Sequence, residues 1–295
     1  MEALERHRGH FYNWYDTQSL KPLLPAYIST VDSGNLAGHL LTLRPGLLAL
    51  PDHNILGERF FDGLRDTLRI LVDTAGGAAP ARLAQLHEDL EPDSQPTTLT
   101  ATWQCLDRLA ASAAQVADSL DAGDPESQAN WWARAFARQC QDALGELTIL
   151  APWTLMKPAP AGLGFRGFDA IPTLRQLASL ELDLLPAIEP QPGSNSSPEA
   201  GAWLVEFRRL ITEASRRARA RLAVIERLVL QAGEFARIEY DFLYDKASHL
   251  LTIGYNVAER RRDSSSYDLL ASEARLCSFV AIAQGQLPQE SWFAL

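Results

Sequence analysis

The sequence predicts a mainly α-helical fold, and three observations carry that prediction. Across residues 46–235, Leu, Ala, Arg, Gln and Glu dominate and the apolar positions recur at helical spacing. Strand character is confined to one short stretch, F-L-Y-D-K-A-S-H-L-L-T-I-G-Y-N, near residues 242–255. The helical segments are separated by short breaks rich in Pro, Gly and Ser, with no fixed-period repeat, a pattern that suits an all-α toroid or bundle.

Three zones follow one another. Residues 1–45 form an aromatic and polar segment containing H-F-Y-N-W-Y-D-T and Y-I-S-T-V-D-S-G-N-L-A-G-H-L-L. Pro22 and Pro25 make its middle loop-like. Asp32 or Ser33 can cap a helix that runs through Leu43, where Pro45 should stop it. Residues 46–239 form a helical insertion or bundle. Helices are expected over 60–72, 81–90, 98–120, 128–147, 173–185 and 202–237, with charges on one face and Leu, Ile and Val on the other. Two Pro/Gly/Ser-rich linkers, 157–167 and 189–201, interrupt them, the second mobile in character. The arginines between Arg208 and Arg221 read as a solvated helix face rather than a nucleic-acid surface. Residues 240–295 begin with a β-hairpin, strands 242–244 and 250–255 joined by a turn. An Arg-rich loop comes next. A helix follows, capped by a serine of the 264–266 run with Asp268 close behind and closed by Gly285.

The chain has 295 residues and a net charge of −10. That balance argues against a polyphosphate-binding surface and leaves a neutral partner such as a carbohydrate open. Cys105, Cys140 and Cys277 lie far apart in apolar helical settings and read as buried free thiols of a reducing compartment. No CxxC pair, no Cys/His cluster with zinc spacing and no Gly-rich phosphate loop occurs, so neither metal nor cofactor is expected. No apolar run reaches the ~18 residues a membrane span needs, and the charged N-terminus lacks an apolar signal region. The expectation is a soluble, cytoplasm-facing chain.

Glu273 is the residue that most needs a reason. In the run 264–285 it sits among Leu269, Leu270, Leu276 and Cys277, one helical turn to either side. A carboxylate on such a face is expected to be buried, and burial is costly without a partner or a raised pKa. It is therefore a structural acid or a catalytic one, with Arg275 a poor partner because it points to nearly the opposite side. Trp14, Tyr15 and Asp16 form part of an aromatic and polar cluster of the kind that stacks on sugar rings, or that makes an aromatic core corner. Asp32, Ser33 and Asn35 can bond a ligand at a helix start or simply cap it. His39, on an apolar helix, reads as a core histidine with a backbone partner.

Two segments resemble a known family. H-F-Y-N-W-Y-D-T-x-x-L-x-P-L (10–23) with Y-I-S-T-V-D-S-G-N-L-A-G-H-L-L (27–41), and F-L-Y-D…I-G-Y-N-V-x-E-R-R-R-D-S-x-x-Y-D-L-L-A-S-E-A-R-L-x-S-F-V-A-I-A-x-G (242–285) with P-Q-E-x-W-F (288–293), resemble the central glycoamylase-like region of the bacterial cyclic β-1,2-glucan synthases. The helical stretch between them, flanked by both in order, falls in the same segment. The resemblance implies part of an (α/α)6 toroid that cyclises linear β-1,2-glucan by transglycosylation. It implies a glucosyltransferase module before it, a phosphorylase-like module after it, and anchoring of the full-length protein in the inner membrane. Residue by residue, Glu273 in S-E-A-R corresponds to one of two catalytic carboxylates, as nucleophile or as acid/base. Tyr255, Asn256, Arg260, Tyr267 and Asp268 fall near the substrate cleft. Trp14, Tyr15, Asp16, Asp32, Ser33 and Asn35 line or support it. Such chemistry takes two acids, and in the family the second glutamate lies in sequence beyond W-F. The expectation is thus a segment with one carboxylate of the pair and some apolar helix faces left uncovered. Two other roles stay open: a non-catalytic helical scaffold that docks flanking modules, and a sugar-binding remnant.

Overall fold

A computed structural model describes residues 1–57, 59–76, 81–91, 96–121, 126–160, 169–184, 186, 197–267 and 272–295. Asp268, Leu269 and Leu270, most of the 189–201 linker and the 161–167 part of the other lie outside the described residues. In chain order the elements are β1 (Arg6–His7), β2 (His10–Phe11), β3 (Tyr27–Ser29), α1 (Thr30–Ala49), α2 (Phe60–Ala75), α3 (Ala81–Asp89), α4 (Leu99–Asp121), α5 (Gln128–Leu150), α6 (Leu174–Leu184), α7 (Pro198–Phe235), β4 (Tyr244–Asp245), β5 (Leu250–Leu251), β6 (Gly254–Asn256), β7 (Arg261–Arg262), α8 (Ser272–Ala283) and α9 (Glu290–Ala294). The fold is mainly α, as the sequence predicts. Among the described residues no helix is long and apolar enough to cross a membrane.

The chain forms two compact units, one made of residues 1–49 with 224–295, the other of residues 50–223. In the second unit, periodicity translates directly into burial. Leu64, Leu68 and Leu71 of α2 recur at four and three residues, and they meet Leu83 and Leu86 of α3, Leu106 and Leu109 of α4, and Phe136 and Cys140 of α5 in one core. Ser127 caps α5 by accepting the Asn130 N–H at 3.2 Å. The arginines of α7 lie on an exposed or half-buried face and pair with glutamates: Arg209 with Glu206, Arg216 and Arg217 with Glu213, Arg219 with Glu181, Arg221 with Glu146. All three cysteines are buried and free, and burial pushes the Cys140 and Cys277 thiols up to about 12.

The first unit is built from short strands around a helix pair. β1 and β2 form a hairpin in the register Arg6↔Phe11 and His7↔His10. Its turn, Arg8-Gly9, has φ of 51° and 86°, the conformation a two-residue hairpin needs. A side chain at Gly9 would strike the Arg237 backbone. β3 pairs antiparallel with β6, Ile28 opposite Tyr255, and β6 pairs with β7. β4 and β5 form the expected hairpin over a shorter span: Tyr244–Asp245 pairs with Leu250–Leu251, and Gly254–Tyr255 of the expected return strand belong instead to β6. The core here is Ala37, Ile238, Tyr240, Leu243, Leu251, Cys277, Val280 and Ala281.

Helix α1 departs from its prediction. It begins at Thr30 and continues through Pro45 to Ala49. Pro45 removes one backbone N–H donor, and the Leu-rich turn after it remains helical. Against α8 it presents small residues. A Cβ on Gly34 would lie 2.6 Å from Cys277 Cα, and one on Gly38 would lie 3.2 Å from Val280 Cγ2. Cys277 Sγ donates to Thr30 O at 3.3 Å. The order of these contacts, Thr30 and Gly34 with Cys277, Gly38 with Val280, means that α1 and α8 run in the same general direction. Meanwhile Leu43 and Leu48 of α1 and Leu276 and Phe279 of α8 remain exposed.

Candidate functional site

Parallel packing brings the first turns of α1 and α8 to one end of the first unit, and each carries an acid, Asp32 and Glu273. Glu273 is exposed, which corrects the expected burial. Among the described residues its helix spans Ser272–Ala283, and Ser266 forms an isolated bridge with Thr252. Glu273 lies one turn before Cys277 on the same strip of α8. Because Cys277 packs against Gly34, Glu273 on the parallel helix lies about level with Thr30, the first residue of α1. Of the apolar neighbours that suggested burial, Leu276 is 37% exposed and Cys277 is buried against α1, while Leu269 and Leu270 lie outside the described residues.

On the opposite side of α1 from α8 lies a cavity of about 330 Å³, with Trp14, Asn13, Asp32, Ser33 and His10 among its lining. Asp32 and Leu36 stand roughly 200° around the helix from Gly34, which turns them toward this cavity. The Trp14 indole is 52% exposed and so presents an open aromatic face. Asn13 is fixed at the β3 edge: its N–H donates to Tyr27 O at 2.9 Å, and its Oδ1 accepts the Ser29 N–H at 3.0 Å.

His10 is fully buried beneath the cavity. Its Nε2 is 2.7 Å from Glu239 O and its Nδ1 is 2.8 Å from Ser33 Oγ. Tyr240 and Phe242 pack edge-on against the ring at 5.9 and 5.3 Å. Burial drives its pKa down to about 4, partly opposed by the Glu239 carbonyl and reinforced by His7.

Of the predicted cleft residues, the structure brings Trp14, Asp32 and Ser33 together at this cavity. Tyr15 serves as a strut, donating to Glu5 O at 2.7 Å and accepting the Tyr12 N–H at 2.8 Å. Asp16 staples its own turn through Ser19 N–H and Oγ–H, bonds that hold its carboxyl below the usual range. Asn35 lies outside the cavity lining, and its carbonyl accepts from His39 Nδ1 at 2.7 Å. His39 has the expected backbone partner but is exposed rather than core, because its face of α1 is uncovered. Tyr255 stacks on His7 at 5.9 Å, and Asn256 Oδ1 accepts the Glu259 N–H in the β6–β7 turn. Arg260 closes that turn with φ of 51°. Tyr267 lies beside Thr30, Ala274 and Cys277, near the start of α8. Among the lining residues not named as site residues from the sequence, His10 and Asn13 carry the imidazole and the amide. Their only local mark is membership of the aromatic run after Gly9.

No protein-family profile matches the chain. Over its whole length it is 27% identical to a segment of the cyclic β-(1,2)-glucan synthase NdvB of Rhizobium meliloti (strain 1021). The chain spans 9% of that protein. The family resemblance carried by two motifs therefore extends along the entire chain, the helical stretch between them included.

Proposed function

We propose that this chain is a β-1,2-glucan-handling segment of a larger synthase and contributes to transglycosylation of the linear glucan into a ring. The observation that carries this reading is the whole-chain similarity to a cyclic β-(1,2)-glucan synthase, together with an exposed Glu273 in the S-E-A-R motif on which the family resemblance rests. Glycoside chemistry takes two acids, one to protonate the leaving oxygen and one to act as nucleophile or base. Glu273 is proposed as one of them. An exposed indole at Trp14 offers a stacking surface for a sugar ring, and Asp32 and Asn13 offer an acceptor and an amide for its hydroxyls. Tyr255, Asn256, Arg260, Tyr267 and Asp268 are proposed to border the glucan on the Glu273 side.

The second unit contains none of the proposed site residues and has its own leucine core. That favours a scaffold role for this part of the chain, alongside the flanking modules of the full-length protein. The decisive experiment is Glu273→Gln in the full-length synthase. Cyclic product should fall at least ~100-fold, on the scale of losing one transition-state group, while linear glucan still accumulates. Undiminished cyclisation would sink the assignment.

A further inference from the structure

Ser33 is one of the residues the family resemblance assigns to the glucan cleft, and that role does not account for its pairing with His10. The hydrogen-bond arithmetic of the pair is specific. A carbonyl can only accept, so the 2.7 Å contact to Glu239 O requires the proton on His10 Nε2. In a neutral ring Nδ1 is then a bare acceptor, and it faces Ser33 Oγ at 2.8 Å. Ser33 Oγ also lies 2.8 Å from Ser29 O. That carbonyl, at the N-cap position of α1, has the first helical N–H to accept. Nδ1 has no other donor among the described residues, so the single hydroxyl proton of Ser33, which donates to Ser29 O, is shared between that carbonyl and Nδ1. The opposite tautomer would set the lone pair of Nε2 against the Glu239 carbonyl.

We propose that Ser33 and His10 form a nucleophile–base dyad that takes short acyl groups from carboxylic esters. The Glu239 carbonyl orients the imidazole, the part a third group plays in such arrangements. Ser33 lies in the first turn of α1, where the helix favours developing negative charge. Asn13, with Oδ1 fixed by Ser29 N–H and no partner for its NH2 among the described residues, supplies a donor for the oxyanion from the same cavity wall. The cavity, about 330 Å³, is of a size for a short acyl chain and part of its alcohol. In the step, Ser33 Oγ bonds the ester carbon while its proton passes to His10 Nδ1. The carbonyl oxygen takes the electron pair. As the tetrahedral adduct collapses, the C–O bond to the alcohol breaks and the alcohol leaves with the proton from Nδ1. Water reverses the sequence, regenerating Ser33 and releasing the acid. The depressed basicity of His10 keeps the ring neutral and makes turnover slow, so the acyl adduct is the better readout.

The experiment treats the full chain with p-nitrophenyl acetate and locates the adduct by peptide mass spectrometry. The expected result is a burst of p-nitrophenolate near one equivalent with acetyl on Ser33. Ser33→Ala, checked for native circular dichroism, should abolish the burst. As a second arm, the thiol introduced by Ser33→Cys should be alkylated by iodoacetamide at least ~10-fold faster than the buried Cys105, Cys140 and Cys277. Acetylation that is absent or confined to other side chains overturns the dyad, as does an introduced thiol no more reactive than the buried ones. Either failure leaves the reading of Glu273 untouched, since that rests on glucan products.

Discussion

Helices α2 and α1 both carry leucines at helical spacing, yet they use them in opposite ways. In the second unit, α2 turns Leu64, Leu68 and Leu71 inward, and its neighbours do the same. In the first unit, α1 leaves Leu43 and Leu48 exposed and buries Thr30, Ser33, Gly34 and Ala37. The difference lies in what each helix packs against. A bundle core rewards bulk, since each buried leucine contributes on the order of 2 kcal/mol. The α1–α8 contact rewards closeness, because Gly34 lets Cys277 approach the helix backbone itself. The second kind of packing holds two helix ends and their side chains in fixed register, which a candidate site needs and a scaffold does not.

The largest expected effect tests the bulk-driven side of this contrast. Phe136, fully buried in α5, should cost about 3–5 kcal/mol when changed to Ala. Urea denaturation followed by circular dichroism measures it, and a loss below ~1 kcal/mol would deny that this core carries the unit. The next effect belongs to the first unit and to pH. His10 has a folded-state pKa of about 4 against an ordinary 6.5. Between those values the unfolded chain binds a proton that the folded chain does not, so stability rises with pH there. The contribution is fully present above ~6.5 and is lost as pH falls toward 4, about 3 kcal/mol in all. Comparing urea midpoints of wild type and His10→Asn at pH 7 and pH 4.5 isolates it; parallel decline of the two would remove the histidine from the account.

The smallest effect is the sharpest, because the same substitution should change sign between the units. Gly145 of α5 has open space around it, and Gly145→Ala should stabilise by roughly 0.8 kcal/mol through helix propensity. Gly34→Ala in α1 meets Cys277 and should destabilise by about 1–3 kcal/mol despite the same propensity gain. Equal signs in thermal or urea melts would mean the α1–α8 contact is looser than drawn.

The same contrast governs what could be read in advance. Helices α2 to α7 were legible to within a few residues, since their burial follows their own periodicity. The extent of α1 was not: its core face is made of small residues, and Pro45 suggested an end that the helix passes through. Glu273 was misjudged as buried because its sequence neighbours are apolar, whereas its surroundings depend on where α1 begins. The meeting of Trp14, Asp32 and Ser33 follows from motifs, but His10 and Asn13 enter through contacts to Glu239 and Ser29 that no local pattern encodes.

The pairing of β3 with β6 joins Ile28 to Tyr255 across the whole of the second unit. At about 5–20 residues per second, a ribosome needs on the order of 10–50 seconds to make the chain between them. Throughout that time the first aromatic motif waits without its partner strand, while the contiguous leucine bundle can already close on itself. Once folded, that bundle replaces a long floppy loop with a fixed tether, which lowers the entropy lost when the two strands finally meet. The candidate site thus cannot be completed until the chain has been made through β6.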